Sequence, residues 1–153
     1  MKLFKLTFLA AAFGVVTLVP FQSSAQSNAE LQMMYMNILN RYGLEGTVDS
    51  DGDVRFNYDD KTYFIEVDQD DAEFFRLVLA NIWPIEDELE RLQVKNALDV
   101  ANAKVKVGKG FIVRDNVWIS VEAFHEPGEF DEFFERYLDV IDLFVRHYVE
   151  EMD

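Results

Sequence analysis

The sequence predicts an α+β domain: an antiparallel five-stranded sheet packed by three helices, in the order α-β-β-β-α-β-β-α. Three observations carry this prediction. Apolar residues recur every three or four positions in three stretches and every second position in the stretches between them. The helical and strand-like stretches are segregated rather than strictly alternating, which argues against a parallel α/β sheet. Breakers stand at the junctions: Gly43, Trp83-Pro84 and Pro127-Gly128.

The first helix is expected over about 29–42, with Asn28 as its cap. Leu31, Met34, Tyr35, Ile38, Leu39 and Tyr42 make one apolar stripe. Gly43 suits the left-handed residue that ends a helix. Met33, Met34 and Met36 read as core filler on this helix. The period then changes to two. Val54, Phe56 and Tyr58 alternate with Arg55 and Asn57, a turn follows at 58–61, and a strand returns over 62–67. A third strand is expected over 74–82, apolar on both faces near its middle and therefore central. Trp83-Pro84 should stop it, because proline cannot donate to a ladder.

A second helix follows from about 85 to 103, with acids in its first turns and bases later, an order that complements the helix dipole. Its expected buried stripe is Leu89, Leu92, Leu98 and Ala101. Two strands, 104–115 and 117–124, form a second hairpin around Arg114-Asp115-Asn116. Gly108 and Gly110 within it suggest a bulge or a close backbone approach. The last helix, about 129–152, carries a wide apolar face that runs from Phe130 to Val149.

The first 25 residues read as a cleaved secretory signal, residues 1–25. Lys2 and Lys5 form a positive start, 6–19 is apolar, and Ser23 and Ala25 are the small residues a signal peptidase reads. The run is shorter than the ~20 residues of a membrane span, so no stable membrane insertion is expected after cleavage. The mature chain, 26–153, is then a single exported domain, periplasmic or fully secreted. The chain has no cysteine, which excludes a lipid-anchored cysteine, thiol chemistry and thiolate metal sites. The net charge is −15, and loss of the two leader lysines makes it −17. A surface this acidic repels nucleic acid and anionic membrane. Half of the residues are hydrophobic, so the charge does not signify disorder.

Few residues carry a pattern for chemistry. Asp49, Asp51, Asp53, Asn57 and Asp60 fall at calcium-loop spacing, but Val54 stands where the loop needs glycine, and the last position is not glutamate. Adjacent carboxylates such as Asp70-Asp71 and Glu86 with Glu88 sit at turns and helix starts, where acids are ordinarily solvated. His125 and His147 form no zinc pattern, and Ser120 lies in a strand with no nucleophile motif about it. No catalytic residue, cofactor or metal is expected. The aromatics Phe74, Phe75, Trp83 and Trp118 are the candidate protein-interaction residues. Strand alternation sets Phe74 and Phe75 on opposite faces, and it sets Trp118 and Ser120 opposite Val117 and Ile119.

Four strings, VDQDDAEFFRLVLANIWPI (67–85), NALDVANAKVKVGKGFI (96–112), DNVWISVEAF (115–124) and EFDEFFERYLDVIDLFV (129–145), resemble in order and spacing the YbjN-like bacterial domains with the type III secretion chaperone-like fold. The resemblance spans nearly all of the mature chain. It implies a small α+β domain, often dimeric, without a catalytic centre. The secretion chaperones of this fold are cytoplasmic and hold extended client segments, whereas this chain begins with an export signal. The expectation is therefore an exported, non-enzymatic protein-interaction or chaperone-like module, working as a homodimer or with one protein partner. The alternative is a small-ligand or calcium-binding protein that uses the acidic turns around 49–60.

Overall fold

The computed structural model describes residues 26–153. The expected secretory signal, 1–25, lies outside the described residues. The element order is α1 (Asn28–Arg41), β1 (Thr47–Val48), β2 (Val54–Tyr58), β3 (Lys61–Ile65), β4 (Phe74–Pro84), α2 (Glu88–Lys104), β5 (Gly108–Val113), β6 (Asn116–Phe124) and α3 (Phe130–Met152). The class is α+β as expected, with one strand more. All neighbours pair antiparallel in the spatial order β1-β2-β3-β4-β6-β5. The additional strand, β1, is two residues paired to Val54 and Arg55, too short to show a period of two.

All three helices lie on one side of the sheet. Phe75 of β4 meets Tyr35 of α1 and Phe130 and Tyr137 of α3. Phe56 of β2 meets Phe134 of α3. A Cβ built on Gly110 of β5 would stand 2.6 Å from Leu98 of α2 and from Phe144 of α3. That distance explains the glycine: two helices approach the strand so closely that no side chain fits. The core between the layers includes Leu77, Leu79, Ile119, Val121, Ile141 and Tyr148, all at most 1% exposed. Burial pushes the Tyr35 and Tyr137 phenols up to about 12, so both rings sit in the core uncharged.

Local corrections follow from specific contacts. Ser27, not Asn28, caps α1, in a reciprocal box with Glu30. The Asn28 side chain instead accepts from the Gln69 amide at 2.8 Å and so ties the helix start to the turn before β4. Gly43 does adopt the left-handed conformation, φ +73°. The β2–β3 hairpin turns through Asp59 and Asp60, both at positive φ, as a two-residue primed turn requires. α2 starts at Glu88 because Asp87 accepts from the Glu90 amide at 2.9 Å. β5 starts only at Gly108, since α2 runs on to Lys104 and Val107 turns the chain at φ +55°.

The expected α2 stripe is half wrong. Val94, Ala97, Leu98 and Ala101 are buried, while Leu89 and Leu92 are 78% and 57% exposed. Nine residues are two and a half helical turns, so Leu89 points away from Leu98. β4 also passes its expected stop. Trp83 stands opposite Val117, where an unbroken register from Leu79 and Ile119 would place Asn81. Two extra residues therefore bulge out, with Asn81 at φ +56°. Pro84 is tolerated because it is the last residue of the strand.

Candidate interaction surface on the open sheet face

With every helix among the described residues on one side, the other face of the sheet has no layer of described residues over it. Period-two alternation decides what it carries. At one end stand Phe64, Val78, Trp118 and Phe111 from four neighbouring strands. The Phe64 and Trp118 rings are parallel within 6° at 6.4 Å between centroids. Their strands flank β4 and so lie about 9.6 Å apart. The rings therefore lean together over Val78, which is only 7% exposed although no helix covers it. The bulge in β4 has a role here: it places the Asn81 side chain so that its Oδ1 accepts from the Trp118 indole Nε1 at 3.1 Å, which fixes the ring.

Across the middle runs a charged band. Arg76 Nη1 donates to Glu66 at 2.5 Å, and its Nε donates to Glu122 Oε1 at 3.1 Å. Lys109 Nζ lies 3.4 Å from the same Glu122 oxygen, which also accepts from the Ser120 hydroxyl at 3.1 Å. Ser120 is thereby fully buried yet satisfied. In strand order β3-β4-β6-β5 the band reads negative, positive, negative, positive. Single surface ion pairs contribute about 0–1 kcal/mol, so the band's importance lies in order rather than stability. At the far end Phe74 and Phe124 form a cross-strand pair at 5.3 Å, with the Arg76 guanidinium 5.1 Å above the Phe74 ring. Phe124 is 79% exposed.

The four aromatics singled out from sequence part company here. Phe74 and Trp118 belong to the open face. Phe75 is 1% exposed among Tyr35, Phe130 and Tyr137, so its ring reaches no partner. Trp83 is on the helix side, edge-on to Tyr148, and gives its indole N–H to Glu90 at 2.9 Å. It clasps the end of β4 to the start of α2. Phe64, Phe111, Phe124 and the charged band were not foreseen.

Both sheet edges are partly covered. The Asn102 side chain accepts from the Gly110 amide at 2.9 Å and donates to the Gly110 carbonyl at 3.1 Å. It pairs with the outer edge of β5 as a neighbouring strand would. The opposite edge ends in the two-residue β1. The face, not an edge, is thus the larger unpartnered surface.

The acidic turns offer no comparable site. Asp49 Oδ1 accepts the amides of Asp51, Gly52 and Asp53 at 2.9–3.1 Å. Asp53 accepts the Val67 amide at 3.0 Å, and burial raises its carboxyl above the usual range. These oxygens are committed to turning the chain. Among the described residues no three acidic or histidine side chains converge as metal ligands. Asp70, Asp71, Glu86 and Glu88 are exposed at an isolated turn and a helix start. His147 pairs with Glu150 on the surface of α3, and His125 packs on Phe75 and Tyr137. No helix among the described residues is long and apolar enough to cross a membrane. Comparison with protein-family models, with curated proteins and with solved structures finds no match for this chain.

Proposed function

We propose that the chain is an exported, non-enzymatic protein-interaction module of the chaperone-like kind, and that the open face of its sheet is the working surface. One observation carries this reading. A sheet face with an apolar group, a fixed charged band and a 79%-exposed phenylalanine is left uncovered by the described residues, whose three helices all lie on the opposite side. Organised aromatic surface rimmed by ordered polar groups is the composition of protein-binding faces. The strands of this face carry Arg55, Arg76 and Lys109 against Glu122, with Glu66 and Asp53 just past the ends of β3 and β2, so the face is close to neutral on a strongly acidic chain. The proposed compartment is the periplasm, on the strength of the leader sequence.

The test is site-specific photo-crosslinking in the native envelope extract. A photoreactive residue at 124 should form discrete protein adducts, whereas one at 92, on the helix side, should not. Equal labelling at both positions, or none at 124, would contradict the reading.

A further inference from the structure

We infer that the occupant of the open face is a second copy of this chain, packed face to face about a twofold axis parallel to the strands and midway between β4 and β6. The inference rests on the reading of that face as protein-binding and names its partner. Two observations support it: register and charge order.

Such an axis exchanges β4 with β6 and keeps position along the strand. Each β4 residue then meets, in the other copy, the residue that is its ladder partner within its own chain. Arg76 pairs with Glu122 and Phe74 with Phe124 in the ladder. Arg76 of one copy thus comes opposite Glu122 of the second, and Phe74 opposite Phe124. The band negative-positive-negative-positive, turned about this axis, meets its own reverse, so unlike charges face each other across these four strands, with Lys109 one pleat along from the row of Arg76 and Glu122 and reaching back to it. A twofold axis across the strands would instead set Glu66 over Glu66 and Arg76 over Arg76. The groups needed are in place: Arg76 Nη2 and Glu122 Oε2 have no hydrogen-bond partner among the described residues. Burying charge is costly unless each charge gains a partner, and here each does.

The overall charge points the same way. Two copies, each carrying a large negative excess, repel one another, and on the open face Arg55, Arg76 and Lys109 offset the acids locally. The overlap is modest: about this axis β3, β4, β6 and β5 face their counterparts, and four strands about 4.8 Å apart, each about six residues long, span roughly 19 Å by 20 Å, below the roughly 800 Å² per partner of a standard interface, so a concentration-dependent dimer is expected. The axis also leaves the two sheets aligned, as sandwiched sheets pack.

Sedimentation velocity of residues 26–153 over a concentration series tests this. A monomer–dimer equilibrium is expected, and Phe124→Glu should raise the dimer dissociation constant at least tenfold. The Phe124 side chain is already in solvent, so the variant should keep the wild-type circular dichroism spectrum. The axis is tested separately by mixing single-cysteine variants in this cysteine-free chain. Phe74→Cys with Phe124→Cys should join through a short bifunctional thiol reagent more efficiently than either variant with itself. A strictly monomeric protein overturns the inference. So does a dimer indifferent to Phe124→Glu but broken by Leu92→Glu, which would place the contact on α2. A monomer that still forms discrete adducts from position 124 would overturn the second copy while leaving the protein-binding reading intact. A monomer without adducts would remove both.

Discussion

The two faces of this sheet are made by the same strands, residue by residue, and differ in what they ask of a side chain. Phe74 and Phe75 are adjacent. Phe75 lies among Tyr35, Phe130, His125 and Tyr137 with 1% of its surface exposed. Phe74 lies under a guanidinium and beside a solvent-exposed ring. The covered face is held by dry packing, in which each atom removed leaves a void. The open face is held by leaning rings and a chain of ion pairs, which hold shape at little gain in stability. Under the proposed function, folding and binding fall on opposite sides of one sheet, and each is expected to be alterable without the other.

The largest expected effect breaks the covered face. Phe75→Ala should cost about 3–5 kcal/mol in urea unfolding, the range for a buried aromatic truncated in a close-packed core. Phe74→Ala, one residue away, should cost less than about 1 kcal/mol, the scale of a cross-strand aromatic pair. Equal costs would erase the distinction between the faces. Gly110→Ala comes next. Its methyl group would need space held by Leu98 and Phe144, and overpacking of this kind costs about 1–3 kcal/mol. Gly128→Ala, with nothing within 4 Å of the new carbon, serves as the near-neutral reference.

Asn102→Ala sharpens the comparison at the sheet's border. It leaves the Gly110 amide and carbonyl without their side-chain partner, at about 1–3 kcal/mol, and opens the β5 edge to strand pairing. Light scattering should show concentration-dependent association beyond a dimer for this variant alone. The smallest effect is electrostatic. Burial raises the Asp53 carboxyl above its ordinary value near 3.8, so folding favours its protonated form. That contribution is present at pH below the ordinary value and is lost as pH rises through the raised one. Relative to wild type, Asp53→Asn should therefore gain stability on going from acid to neutral pH. A constant difference between the two proteins across that window would contradict the assignment.

Much of this architecture could be read from residue spacing, because periods of two and 3.6 survive in any sequence whose elements each bury one side. The opposition of Trp118 and Ser120 to Val117 and Ile119 was legible for that reason. Which of two opposite faces the helices cover is a tertiary fact, so Phe74 and Phe75 could be separated but not ranked. Leu89 and Leu92 misled because two leucines near a helix start fit a stripe until its phase is fixed by Val94 and Ala97 further along. The bulge at Asn81 adds two residues without a glycine to mark them. The charged band was invisible because residues 66, 76, 109 and 122 meet only once strand order and register are known. Nothing local in the sequence marks them as neighbours.

The most direct test that a second copy of the chain covers the open face is thiol labelling of two single-cysteine variants, Phe124→Cys and Leu92→Cys, at rising protein concentration. Both side chains are well exposed in one copy of the chain, and no other thiol competes. Labelling at 124 should slow as concentration rises, while labelling at 92 stays constant. Constant rates at both positions, or slowing at 92 alone, would contradict a second copy as the occupant of that face.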